Sequence, residues 1–212
     1  GDDAESESAD AEMRYGIPVI CIPYAGFLGG EYSEGNYKTA ETIIERFFRP
    51  CEHVPNRILL LGDQMGPEGQ YVTEVKRLLS LLGLEVQGQF PGYLPFSEWA
   101  NAPAAELAIV LGTTGQSDRM NGMADLLEKK FGIHAVKDMY PIGWENTCKW
   151  ILEIGRLHKN VEKAKVIIEE EKKRIDSYVN SILHITKGKK AVIGIGRGTH
   201  WYNPSDTISA LR

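Results

Sequence analysis

Short strand-like runs, the first of them rich in β-branched residues, alternate along this chain with longer stretches of helical periodicity. The runs cover 17–22, 58–62, 84–90, 107–111, 133–136 and 191–195. The helical stretches cover 38–49, 71–82, 117–131, 143–157 and 159–186. A strand that is apolar at nearly every residue needs cover on both faces, and helices between successive strands supply it. The predicted fold class is therefore α/β, a Rossmann-like parallel sheet with helices on both faces. Within 71–82, Val72, Val75, Leu78, Leu79 and Leu82 share one helical face. The stretch 117–131 closes on Gly132, a residue suited to the left-handed position after a helix. Residues 23–35 read as a glycine-bearing loop, 51–56 as a linker broken by Pro55, and 96–101 as a short helix.

The segment 159–186 is different. It is highly charged, with Val161, Ala164, Ile168, Ile175, Val179 and Leu183 on a rough stripe. Its run Glu169-Glu170-Glu171-Lys172-Lys173-Arg174 reads as a solvated helix face. A helix of that length reaches roughly 40 Å at the standard rise, so it is expected to link two lobes. The expected division is 1–56 as the end of a first α/β domain and 57–158 as a complete Rossmann-like domain. A long linking helix at 159–188 and the start of a third α/β domain at 189–212 complete it. The chain opens on Gly1-Asp2-Asp3, enters a helix that runs to about Arg14, and stops inside a helical stretch begun near Pro204. It reads as a piece of a longer protein.

Charge and hydropathy remove several function classes. The formal net charge is −5, which gives no footprint for nucleic acid or an anionic membrane. No apolar run nears the roughly 20 residues of a membrane span. The opening residues are acidic, unlike a signal peptide, and a cytoplasmic location is expected. Cys21, Cys51 and Cys148 are isolated, with no Cys-x-x-Cys pair, so neither structural zinc nor a disulfide framework is expected. They read as reduced thiols acting as small apolar residues.

Ligands of open parallel sheets bind beyond the carboxyl ends of the strands, where helix N-termini can receive anions. Three strand-to-helix turns there are rich in glycine: 62–69, 112–116 and 194–199. Such turns also need glycine for tightness alone. The candidate ligand contacts are Asp63 in the first turn, Thr114 and Gln116 in the second, and Gly196, Arg197 and His200 in the third. Asp63 directly follows a strand end, where a carboxylate either meets a ligand or caps the next turn. Arg197 suits an anionic group, and His200 suits proton movement near neutral pH. The third turn has Gly-x-Gly-x-Gly rather than the dinucleotide fingerprint, a P-loop is absent, and no Ser/His/Asp or Cys/His arrangement can be assembled. No catalytic residue and no metal ligand is assigned.

The order of these pieces resembles nitrogenase component 1 and its relatives, which include reductases of tetrapyrroles and cofactor-assembly scaffolds. Gly1-Asp2-Asp3 resembles the family's IGDD segment. Ile17-Pro18-Val19-Ile20 followed by Ala25-Gly26-Phe27-Leu28-Gly29 is similar to its "PVI…GF.G" stretch. Gly35 to Ala40 is similar to the next helix start, and Ile58 to Met65 to a strand and turn ending in GDYN. Leu127-Glu128-Lys129-Lys130-Phe131-Gly132-Ile133 resembles "MEEKYGIP", and Pro141-Ile142-Gly143 through Thr147 resembles a family helix start. Lys190 to Arg197 resembles a strand and turn ending in GGLR.

The resemblance implies a subunit of three Rossmann-like domains in a nitrogenase/chelatase-like fold. This chain would be the middle domain with partial flanking domains. It implies a low-potential oxidoreductase that receives electrons through an iron–sulfur cluster from an ATP-dependent iron–sulfur reductase, works beside a sister subunit and reduces a small-molecule substrate. The cluster cysteine of the family would fall just before Gly1, so no cofactor is expected within this chain alone, which should be inactive by itself. The cysteine that anchors the catalytic cofactor of true nitrogenases would fall near Gln116, and none stands there. The family histidine that helps deliver protons would fall near Asn36, and it too is missing. The cofactor-facing arginine does match, at Arg197. These departures argue against a dinitrogen-reducing subunit. The readings left open are a reductase of another substrate, a metal-tetrapyrrole or anion binding module, and a non-catalytic scaffold for cluster assembly.

Overall fold

The structure, a computed structural model, describes residues 3–22, 32–62, 66–111 and 117–190. The chain divides into two units, Gly1–Arg49 and Pro50–Arg212. In the first, α1 (Ala4–Tyr15) starts where the Asp3 carboxylate accepts the N–H of Ser6 at 3.1 Å. Glu5 and Glu7 in its first turn suit the positive end of the helix dipole. It closes on Gly16, whose φ of 64° a side chain would resist. The second helix, α2 (Tyr32–Phe47), buries Tyr37, Ala40 and Ile44, spaced three and four apart. It starts at Tyr32 rather than Lys38 and carries Gly35 in its first turn, so weak propensity yields to the apolar stripe. Glu12 of α1 accepts from both Arg46 of α2 and the Val19 N–H, which holds the unit together.

The strand expected at 17–22 does not form: residues 18–22 belong to no ladder. A strand exists only against a neighbour, and the described residues of this unit contain no other strand.

Among the described residues, the second unit is built on four parallel strands, β1 (Val54–Leu61), β2 (Glu85–Phe90), β3 (Ala105–Val110) and β4 (His134–Val136), in the order β2-β1-β3-β4. Helices α3 (Gln70–Leu82), α4 (Ser117–Phe131), α5 (Trp144–Leu157) and α6 (Val161–Thr186) cover it. From β1 the chain crosses by α3 to one side of the sheet, and from β3 by α4 to the other. Right-handed crossovers then place α3 and α4 on opposite faces. The side chains agree. Ile58 and Leu60 share a core with Val72, Val75, Leu79, Trp150 and Ile167, which come from α3, α5 and α6. Leu59 and Leu61 alternate to the other face. There α4, with Met120, Met123, Ala124 and Leu127 buried, packs on β3 and β4.

Strand β1 begins at Val54, not at 58. Val54 pairs with Ala105, the register then slips before Ile58, and Pro55 sits in the slip where no ladder bond is demanded of it. Asn56, at φ 68°, is held there by donating its N–H to Glu106 Oε2 at 2.7 Å. In place of one short helix at 96–101, two 3-10 turns occupy Phe96–Glu98 and Ala102–Ala104.

The charged run of α6 is not wholly a solvated face. Glu171 is buried, 7% exposed, and receives Arg77 of α3 in a fork, with bonds of 2.8 and 2.6 Å. Arg174 adds a bond of 2.9 Å, and Glu74 binds Arg77 from its other side. A carboxylate accepts burial when planar guanidinium groups satisfy its oxygens. The Arg77 bond is also the main cause that holds the Glu171 carboxyl below its ordinary range, against burial, which pushes it up.

Candidate functional site

Parallel strands all end on the same edge, and ligands settle where neighbouring crossovers leave in opposite directions. Here that switch point is the boundary between β1 and β3. The two strands run side by side to their ends, with Leu61 beside Val110, and the Leu111 N–H donates to Leu61 O at 2.7 Å. Gly62 follows at φ 128°. A Cβ there would lie 2.9 Å from Leu111 O, so only glycine lets the two strand ends close this tightly. In sequence, Asp63 follows Gly62 directly, and Thr114 and Gln116 fall between Leu111 and α4. Asp63, Thr114 and Gln116 lie outside the described residues, as do Gly196, Arg197 and His200.

Among the described residues, the edge is shaped by a group that the sequence reading passed over. Gln89, second to last in β2, is 2% exposed and donates Nε2–H to Gly62 O at 2.8 Å. Its Oε1 is buried with no partner among the described residues. A buried amide oxygen left unbonded costs about 1–3 kcal/mol, so a donor is expected to meet it. The available signal was a glutamine near the end of an apolar strand, just before Phe90-Pro91, a peptide bond that is cis. Beside it, Gly66 at φ 74° lies against the Tyr93 ring, 3.3 Å from where a Cβ would sit. Lys76 of α3 donates to Pro67 O at 2.9 Å and ties down the approach to the helix. At the far strand, Asn121 of α4 donates to Asp138 Oδ1 at 2.7 Å, and Lys137 pairs with Asp125, a bond that raises the Lys137 pKa.

The donor set bears on metal chemistry. Among the described residues no group of three or more His, Cys, Asp or Glu side chains could hold a metal ion. The Cys148 thiol is pushed up by partial burial and by the nearby Glu145 carboxylate, which disfavours the thiolate that a metal would need. All three cysteines are free thiols, Cys51 exposed and Cys21 and Cys148 half-buried. No described helix is long and apolar enough to cross a membrane.

Comparison with known proteins gives a consistent set. Residues 1–202 match the family described as Nitrogenase component 1 type Oxidoreductase. The chain is 32% identical over 202 residues to the nitrogenase iron-molybdenum cofactor biosynthesis protein NifE of Clostridium pasteurianum, across 92% of this chain and 42% of that protein. It is 25% identical over 209 residues to the nitrogenase molybdenum-iron protein alpha chain of Methanothermobacter marburgensis, across 96% of this chain and 43% of that one. The solved structure of nitrogenase Cp1 at pH 5 superposes with a TM-score of 0.70 at 24% identity, covering 89% of this chain and 38% of that one. That likeness shows the α/β fold. The chain spans about two fifths of the length of these curated relatives.

Proposed function

Because the chain belongs to the nitrogenase component 1 type oxidoreductase family, we propose that it is part of a nitrogenase-like subunit that presents a bound substrate, other than dinitrogen, to low-potential electrons. One observation carries this reading. The switch point lies between β1 and β3, and the turns that follow those strands, 63–69 and 112–116, contain neither cysteine nor histidine. Such a crevice offers carboxylate, hydroxyl and amide groups and the Met65 thioether, but neither a thiolate nor an imidazole. Its occupant is held by hydrogen bonds, with Asp63, Thr114 and Gln116 as contacts. Arg197, Gly196 and His200 complete the site, with Arg197 on an anionic group. Electron delivery belongs to parts of the protein outside this chain, with an ATP-dependent iron–sulfur reductase and a sister subunit as partners in the cytoplasm. A second reading, a scaffold for cofactor assembly without turnover, is supported by the likeness to the Clostridium pasteurianum NifE.

The test is made on the full-length protein purified without oxygen, as iron and acid-labile sulfide content, EPR after dithionite reduction, and product assays with the reductase partner. A cluster signal with reduction of an acceptor but no ammonia from dinitrogen is the expected result. Ammonia formation overturns the reading. Metal without turnover of any acceptor leaves the scaffold. A folded, metal-free protein leaves the binding module for a metal-tetrapyrrole or an anion.

A further inference from the structure

At the amino edge of the sheet, opposite the candidate site, two separate parts of the chain meet on one carboxylate. Glu106, near the start of β3, accepts the Asn56 N–H on Oε2 at 2.7 Å. Asn56 is the residue at φ 68° in the slip of β1. The other oxygen, Oε1, lies 3.6 Å from Nδ1 of His158. His158 closes α5, where its N–H donates to Ile154 O at 2.9 Å. The corner that follows is tight: Lys159 takes φ 54°, and the Asn160 N–H donates to Gly155 O at 2.7 Å. Helix α6 starts at the next residue. Glu106 therefore stands between the bend of β1 and the root of α6.

The contact with His158 is incomplete. A separation of 3.6 Å is too long for a hydrogen bond, yet Nδ1 is buried with no partner among the described residues. The other charged groups near this corner turn elsewhere: Arg156 pairs with Glu153 at 2.6 Å, and His134 faces Glu128. Among the described residues, Glu106 forms no ion pair with a lysine or an arginine. A bare ring nitrogen would set two acceptors against each other, so Nδ1 holds the proton and Nε2 is the nitrogen left to take a second one. The carbonyls at the end of α5 also favour a positive charge there. We propose that His158 is a proton-operated clasp: a proton taken from water onto Nε2 draws Nδ1–H onto Glu106 and fastens the root of α6 to the bend of β1. A charged donor bonds a carboxylate at shorter range and roughly twice as strongly as a neutral one. The clasp closes in mild acid and loosens as pH rises.

Hydrogen–deuterium exchange of the full-length protein tests this, at about pH 8 and about pH 5.5, the range in which histidines change charge. Rates are corrected for the intrinsic pH dependence of exchange. Protection of the Asn56 and Asn160 amides should rise about fivefold in acid. His158→Gln keeps a donor but cannot take the charge, so the rise should vanish. Glu106→Gln should abolish it too. His134→Gln, beside Glu128, should leave it intact. The amides of α3 should not differ among these variants, which shows that the core is folded. Should Glu106→Gln fail to fold, nitrogen-15 shifts of labelled histidine read the unmodified protein, with the His158 proton expected on Nδ1 at pH 8. Equal protection at both pH values overturns the proposal. So does a rise that survives His158→Gln, or a proton found on Nε2 alone at pH 8.

Discussion

The two halves of α6 obey the same sequence rule and meet different fates. From Val161 to Glu171 the stripe is locked: Ala164 and Ile167 sit in the core, and Glu171 is clasped by Arg77. From Lys172 to Thr186 the apolar side lies open; Arg174 still reaches back to Glu171 and Glu74, and the ion pair within this half is Lys172 with Asp176, on the surface at 2.8 Å. Periodicity declares that a segment will be helical and which side is apolar. Burial is decided by what stands opposite, and in a piece of α/β chain that partner can be far away in sequence. Substitutions in the first half should therefore act on the stability of this unit, and those in the second half should not.

The largest effect is expected where α5 and α6 cross. A Cβ on Gly155 would lie 2.6 Å from the Cβ of Ala164 and 3.3 Å from Asn160 O. Neither neighbour is a flexible side-chain end, so the helices must part. Gly155→Val should lower stability by about 3 kcal/mol, the upper range for an overpacked core. Urea midpoints with unchanged slope would measure it. Ala164→Gly in the same chain should return part of the loss, because the two sites touch. A neutral Gly155→Val would mean that the first half of α6 is not locked at all.

Next comes the clasp. Arg77→Met leaves the Glu171 carboxylate buried with one exposed partner, Arg174. Breaking a fully buried pair costs about 3–5 kcal/mol, but the Arg77 side chain is 34% exposed and water screens it. A loss of about 1–2 kcal/mol is the expected outcome. Arg174→Ala should cost less, since that side chain is 58% exposed.

The same carboxylate sets a pH dependence. The hydrogen bond from Arg77 is the first cause that lowers its pKa from the ordinary 4.5, burial opposes it, and Arg174 adds to the lowering. Its folded value lies below its unfolded one, so its contribution is complete above the unfolded value. The contribution is lost as pH falls through the folded value. Urea midpoints should hold down to about pH 4.5 and then decline. In Arg77→Met the main lowering cause is gone while burial still pushes upward, so the part of the acid decline that Glu171 contributes should shrink or reverse. An acid decline of the same size in both proteins would remove Glu171 from the account.

These residues also show what the sequence could and could not disclose. The face of α3 is legible, because Val72, Val75, Leu78, Leu79 and Leu82 repeat at helical spacing and all are buried. So are the bounds of α4, from the residues that break and close a helix. The burial of Glu171 is not, because its partner is 94 residues away and a glutamate in a charged run looks solvated. The failed strand at 17–22 has the same cause, since an apolar run does not name its neighbour. The start of β1 at Val54 was hidden by Pro55, which a register slip accommodates. At the candidate site, glycine turns mark the edge of the sheet, and strand order selects the β1–β3 boundary within it. Gln89 was missed because local pattern cannot separate a buried strand amide from a solvated one.

The smallest effect is expected in the open half, and it is the sharpest control. Lys172 and Asp176 are 58% and 55% exposed, an i,i+4 pair on the outer side of the helix. Exposed pairs of this kind gain little attraction in water and spend side-chain entropy to hold their geometry, so Lys172→Ala should shift stability by no more than about 0.5 kcal/mol. The shift should vanish in high salt, which screens exposed charges and leaves the Arg77–Glu171 contact largely intact. Double substitution with Arg77→Met should be additive, because the Lys172 amine bonds Asp176 and not the clasp. A strong non-additive term would show that the charged run acts as one network. The boundary between the locked and open halves would then move from Glu171 to Asp176.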